Sequence, residues 1–262
     1  MRRMIRPELH ALTDALVAAR RDLGQPAPLV LASALASADD AYAVQAATAA
    51  ELGWFASDGR DAPRHWKSGG PSRAALLTHA ALPPAGVWAS PADATRMPWR
   101  LRGIEAEVAL RLAEDVDGAR AATLDVEQAR SLVDAMCVAI EIVDSRWASG
   151  LDTPPLAKLA DLQLHGALVL GEWLPFEPAR DWSVQRCGVC IGATAHAFRG
   201  SHALADPAFV LPAWLRHATR SGAVVRAGSV VTTGTWCALL QADAGESVSA
   251  SFEGLGGVSV GF

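Results

Sequence analysis

A chain of 262 residues, 51% hydrophobic and 19% charged, is long enough to fill one large domain or two small ones and too apolar to stay disordered. A formal net charge of −5 with no basic run excludes an electrostatic footprint for nucleic acid, and the longest apolar stretches are far too short to cross a bilayer. The opening "MRRMIRPELHALTDAL" has early arginines, but Pro7, Glu8, His10 and Asp14 break any secretory apolar stretch, so a cytoplasmic enzyme or binding protein is expected.

Pro7 to Leu23 predicts an amphipathic helix, with Leu9, Leu12, Leu16 and Val17 near helical spacing, and "QPAPL" ends it. "SADDAYAVQAATAAELG" predicts a second helix, with Ser37 as its cap, Asp39 and Asp40 in the favoured first turn, and Gly53 at its end. Residues 54–73, rich in Gly, Pro and charge, read as strand and loop, and "PPAGVWASPADA" is another turn-rich stretch. From about residue 101 the pattern changes. "GIEAEVALRL" and "VAIEIVDSRW" alternate apolar residues and flank a helix expected over "LDVEQARSLVDAM". "LHGALVLG", "WSVQRCGVCIG", "SVVTTGTWCALL", "SVSASFEGLG" and "GVSVGF" are short β-rich runs bounded by turn residues. "ADPAFVLPAWLRHATRSG" has helical spacing in its second half, with Gly222 as its end. The class expected is α+β, with a helical section and a lysine loop over 1–75 and a β-rich core over 76–262.

The chemistry gathers in the core. Glu105 and Glu107 stand one residue apart in an apolar run, so in a strand both point to one face. Ionised carboxylates on a buried face are costly unless a positive charge balances them. Either that face meets water, or a cation lies between them. Glu141 in "AIEIVDSRW" is a third acid in a strand-like context, with Asp144 on the opposite parity. Three carboxylates on neighbouring strands suit a hard ion such as Mg²⁺ or Mn²⁺; pairing with nearby arginines is the plainer alternative. The lone "CGVC" of Cys187 and Cys190 lacks a second ligand pair, and ordinary thiols are expected there. "TTGTW" could hold a carboxylate through backbone N–H groups and Thr235, or be a plain strand end. His79, His196, His202 and His217 have no distinguishing partner spacing.

"DAYAVQ", "IEAEVALRL", "AIEIVDSRW", "LADLQLHGALVLG" and "AGSVVTTGTW", in that order and spacing, resemble the 2-keto-4-pentenoate hydratase / 4-oxalocrotonate decarboxylase branch of the fumarylacetoacetate hydrolase superfamily. The likeness covers nearly the whole chain. It implies a mixed β-roll behind a helical N-terminal portion, Mg²⁺ or Mn²⁺ held by Glu105, Glu107 and Glu141, and a homo-oligomer. The family's lysine loop reads "KSGGPS" here, which sets Lys67 near the substrate and matches Ser72. Lys67 then has three possible roles: pairing with a substrate carboxylate, stabilising an enolate, or relaying a proton if its pKa is lowered. Asp161 and Gln163, with Ser72 and Thr235, are the expected substrate-binding positions.

This chain departs from the family pattern where "ADLQLHG" replaces an A-D-N-x-S-like motif and Pro71 replaces a threonine. Those positions shape the pocket. Trp66, Trp147 and Trp236 adjoin three of the motifs and either pack the core or give the pocket an apolar wall. The reaction implied is metal-dependent lyase chemistry on a small 2-oxo or 2-hydroxydienoic acid, hydration ahead of decarboxylation because no second-carboxylate clamp is evident. Acylpyruvate C–C hydrolysis, with His65 or His165 activating water, ranks next. A family member that keeps the fold without activity ranks last.

Overall fold

The computed structural model describes residues 6–56 and 60–262, so the opening arginines Arg2 and Arg3 and residues 57–59 of the 54–73 stretch lie outside it. Among the described residues no helix is long and apolar enough to cross a membrane.

Two helices lead the chain, α1 (His10–Arg21) and α2 (Ala38–Glu51). Ser37 caps α2 as expected: its hydroxyl accepts the Asp40 N–H while Asp40 returns a bond to the Ser37 N–H, a reciprocal capping box. Both helices pack their apolar faces on Trp147, Leu159 and Leu164. Strands follow as β1 (His65–Gly69), β2 (Thr78–Ala81), β3 (Val87–Ala89), β4 (Ala92–Asp93) and the long β5 (Gly103–Leu112). Two short helices, α3 (Gly118–Thr123) and α4 (Val126–Arg130), precede β6 (Val133–Val143). Then come α5 (Pro155–Ala160), β7 (His165–Leu170), β8 (Leu174–Pro175), β9 (Arg186–Ile191) and β10 (Thr194–Arg199). The chain ends with α6 (Leu211–Thr219), β11 (Val230–Thr235), β12 (Leu240–Gln241), β13 (Ser247–Phe252) and β14 (Gly256–Gly261).

The helix expected over residues 124–136 is shorter than its spacing suggested. It stops at Arg130, because Ala135 and Met136 pair with Arg111 and Leu110 of β5, and that ladder draws residues from Val133 onward into β6.

The large sheet runs in the order β2-β1-β11-β5-β6-β7-β3, with β12 on β5 and β8 on β6. β1 joins β11, and β3 joins β7, in parallel; the other pairs of this sheet are antiparallel, so the sheet is mixed. Its edge strands β2 and β3 are neighbours in sequence. Laid flat, seven strands would put those edges about 29 Å apart, whereas the six peptide steps from Ala81 to Val87 reach about 20 Å at most. The sheet must therefore curl until its edges approach. Leu82 and Val87, on or beside that short connection, pack with Ala109, Cys137, Ala139, Leu168 and Val230, which identifies the inner face of the curl. Ala109, Cys137 and Ala139 at its centre are small, which suits a tight curve.

The outer face carries Ile104, Val108, Leu110, Met136, Val138 and Ile140. It packs against α6 and against the second sheet, ordered β10-β9-β13-β14-β4, through Val189, Ile191, Val248, Ala250 and Phe252. β10, whose "TAHAFR" has weak strand character, forms a hairpin with β9 across Gly192 and Ala193. The result is an α+β fold with a curled mixed sheet behind a helical N-terminal portion.

Candidate metal centre

Strand alternation sets Glu105, Glu107 and Ala109 on the inner face of β5, and the antiparallel register places Glu105 directly opposite Glu141 on β6. On the other side of β5, β11 brings Thr235 opposite Glu107, and β1 brings Lys67 opposite Thr232. Three strands, β1, β5 and β6, thus deliver Lys67 and the three glutamates to one end of the curl, with β11 between β1 and β5. A carboxylate oxygen from each of Glu105, Glu107 and Glu141 lies within 4.8 Å of the others. Among the described residues no other group of three His, Cys, Asp or Glu side chains converges in this way.

Glu107 and Glu141 are each 1% exposed, while Glu105 is half-buried. Lys67 Nζ donates to Glu141 Oε1 at 2.5 Å, and His165 Nδ1 lies 3.0 Å from the same oxygen. Glu107 Oε2 accepts the backbone N–H of Gly234 at 2.8 Å. That bond needs the irregularity in the β11–β5 ladder between Thr232 and Thr235, where Gly234 takes φ +108°, a conformation that side chains disfavour.

Burial raises the Glu105 and Glu107 carboxyls, and the neighbouring Glu141 charge adds to it, so they reach about 7 and about 8. Burial would raise Glu141 too, but Lys67 and His165 outweigh it and hold Glu141 well below the usual carboxylate range. Burial would lower Lys67, yet Glu141, Glu105 and Glu107 together raise it, so its ammonium is retained. Of the roles expected for Lys67, those of a fixed cation agree with this direction and the lowered-pKa relay does not.

Three carboxylates, once ionised, against one ammonium would leave two negative charges, which a divalent cation balances. The donors are all hard oxygens, as Mg²⁺ and Mn²⁺ prefer. Glu141 Oε2 is buried without a hydrogen-bond partner, an atom that costs free energy unless something fills its lone pairs. The residues present fit such an ion.

The substrate positions expected from sequence are placed differently from one another. The Gln163 carbonyl accepts from Lys67 Nζ at 3.4 Å, and its side-chain amide donates to Thr78 Oγ1. Thr235 stands beside Glu107, but its hydroxyl accepts the Cys237 N–H and donates to the Ala238 carbonyl, which closes a turn. Ser72 is exposed on the β1–β2 connection. Asp161 is buried and committed to arginines: Arg20 and Arg146 Nε each donate to Oδ1 at 2.8 Å, and the Arg146 N–H donates to Oδ2 at 2.9 Å.

Asp161 anchors an unusual segment. Leu162, Gln163 and Leu164 have φ of 52°, 59° and 60°, three successive left-handed residues without a glycine. Each costs about 1–2 kcal/mol, and such strain persists where surrounding contacts overdetermine it. Here the Asp144 N–H bonds the Leu164 carbonyl at 2.8 Å, and Leu162 and Leu164 are buried. Nothing in residue spacing signals this turn, and it is what brings His165 to Glu141.

Trp66, Trp147 and Trp236 are all buried among core residues, the packing role. On β9, Cys187 is buried and Cys190 exposed, so the two thiols face opposite ways.

Comparison with known proteins bears on the family and the fold. The family model described as fumarylacetoacetate (FAA) hydrolase C-terminal matches residues 64–260. No curated protein sequence matches the chain. Among solved structures, 4-oxalocrotonate decarboxylase from Pseudomonas putida G7, complexed with calcium and acetate, is similar over 99% of each chain, with TM-score 0.79 and 17% identity. The same enzyme complexed with magnesium and adipate aligns over 97% of this chain and 95% of its own, with TM-score 0.74 and 17% identity. Fumarylpyruvate hydrolase from Pseudomonas aeruginosa, in complex with Mn²⁺ and pyruvate, aligns over 79% of this chain and 97% of its own, with TM-score 0.54 and 13% identity. These likenesses are of fold.

Proposed function

The chain belongs to the fumarylacetoacetate hydrolase family, and from that premise we propose that it is a divalent-metal-dependent lyase acting on a small 2-oxo or 2-hydroxydienoic acid, as a hydratase of the 2-hydroxypenta-2,4-dienoate type. The observation that carries this reading is the buried cluster of Glu105, Glu107 and Glu141, with one unpartnered carboxylate oxygen and Lys67 as the bonded cation. Glu105, Glu107 and Glu141 would hold the Mg²⁺ or Mn²⁺. When bound, that ion supplies Lewis-acid stabilisation of an enolate formed from a chelating 2-oxo acid.

The chain's own residues do the rest. Lys67, bonded to Glu141, adds a positive charge beside the reacting end. Glu105, the half-buried member of the cluster, marks the side of the site that opens toward solvent. Gln163 and Thr78, bonded to each other near Lys67, offer polar groups for the substrate's far end.

A second reading, decarboxylation of a vinylogous 2-oxo diacid, is favoured by the end-to-end likeness to 4-oxalocrotonate decarboxylase. Acylpyruvate hydrolysis would have to rest on His65, half-buried on β1, because the His165 ring is fully buried and bonded to Glu141. The test is turnover of 2-hydroxypenta-2,4-dienoate and of 4-oxalocrotonate, each with Mg²⁺, Mn²⁺ or EDTA. Metal-dependent loss of the dienol absorbance without CO₂ supports hydration, and CO₂ release supports the second reading. Turnover undiminished by EDTA rejects both.

A further inference from the structure

We infer that His165 is a positioning residue that fixes the carboxylate of Glu141 so that Oε2 is the oxygen left for metal. The inference rests on the metal reading above and goes beyond it in naming what orients the ligand. His165 has no solvent exposure, and its Nδ1 lies 3.0 Å from Glu141 Oε1. On the metal reading Glu141 is an ionised ligand that only accepts hydrogen bonds, so the ring nitrogen is the donor. Lys67 Nζ donates to the same Oε1 at 2.5 Å. Two donors on one oxygen commit it, while Oε2 has none.

The backbone explains how a histidine reaches that oxygen. The left-handed run Leu162–Leu164 turns the chain sharply before β7, and Asp161, tied to Arg20 and Arg146, holds its start. The Asp144 N–H holds its end through the Leu164 carbonyl. This segment then meets the Lys67–Glu141 pair twice, with the Gln163 carbonyl on Lys67 and the His165 ring on Glu141. Val143 of β6 pairs with His165 across an irregularity in the ladder, so the ring is set beside Glu141 two residues away. Metal-ligating carboxylates are oriented by such outer partners, whose loss typically weakens metal binding about 10–100-fold.

The experiment is Mn²⁺ titration of the metal-free full chain at one fixed pH, reading free Mn²⁺ by electron paramagnetic resonance. His165→Leu should weaken binding about 10–100-fold. Asn carries its amide nitrogen where imidazole has Nδ1, and Gln carries it where imidazole has Nε2. His165→Asn should therefore restore most of the affinity, and His165→Gln should not. Equal affinity for His165→Leu and wild type, or for His165→Asn and His165→Gln, overturns the assignment. If His165→Leu does not fold, the Asn and Gln pair still decides. Wild-type protein that binds no Mn²⁺ overturns the metal reading itself, a result distinct from a pattern that fails only among the variants.

Discussion

Metal binding at the cluster should expel protons, and the number depends on pH in a way the site fixes. Without metal, Glu105 and Glu107 keep their protons up to about 7 and about 8, because burial and the Glu141 charge make a second and third carboxylate costly. A divalent ion needs deprotonated oxygens. From those two values about two protons leave per ion at pH 6, about one at pH 7.5 and almost none at pH 9. Affinity should then rise about a thousandfold from pH 6 to pH 9, steeply at first and flat at the end. Calorimetric titration of Mn²⁺ into metal-free protein, in buffers of differing ionisation enthalpy, reads both quantities at once. Zero proton exchange at pH 6 with a pH-independent affinity would refute the reasoning, because it would mean the carboxylates are already ionised and balanced by something else.

The same electrostatics predicts that Glu107→Gln abolishes turnover yet raises the melting temperature of the metal-free protein at pH 9 by at least about 2 °C, with the gain vanishing at about pH 3.5. The sign follows because a carboxyl raised on folding contributes stability below its unfolded value and loses it as pH rises through the folded one. Thermal scans at the two pH values check it. Arg20→Ala should cost about 1.5–3 kcal/mol in denaturant unfolding, since it removes one charged hydrogen bond from the buried Asp161 while Arg146 stays bonded to it, and an unchanged midpoint would show that Arg146 alone suffices. His79 is buried and lowered to about 4, so the unfolded chain takes up a proton between pH 6.5 and 4 that the folded one refuses. His79→Asn, which keeps a nitrogen beside Ser68, should flatten the loss of stability over that window by about 1.4 kcal/mol per pH unit. Parallel pH–stability curves for variant and wild type would contradict this.

How much of this was legible in sequence follows from what is local. Strand alternation alone puts Glu105 and Glu107 on one face, and the Ser37 cap is a four-residue signal, so both were readable. Glu141 was readable as a strand acid, but its register opposite Glu105 depends on a β5–β6 ladder that also shortened the helix expected over 124–136. The tie from Arg20 to Asp161 spans 141 residues and leaves no mark in either stretch. The left-handed turn was invisible for another reason: its three residues are two leucines and a glutamine, not the glycine or asparagine that advertise positive φ.

That turn also bears on the substrate. Where the family pattern has small polar residues after Ala-Asp, this chain buries Leu162 and Leu164, and Leu164 packs with the helices α1 and α2. Of Leu162, Gln163 and Leu164 only Gln163 then keeps a polar side chain. What remains toward the site is a backbone carbonyl on Lys67, an imidazole on Glu141, and a glutamine satisfied by Thr78. None of these is a cation. Lys67, the cation bonded to the cluster, is held by Glu141. A second substrate carboxylate at this wall would be desolvated without a positive partner, which burial penalises by several kcal/mol. A substrate with one carboxylate avoids that cost. On this ground the proposed hydration of a monoacid ranks ahead of the proposed decarboxylation of a diacid, and a diacid that turned over faster would locate a cation the wall does not provide.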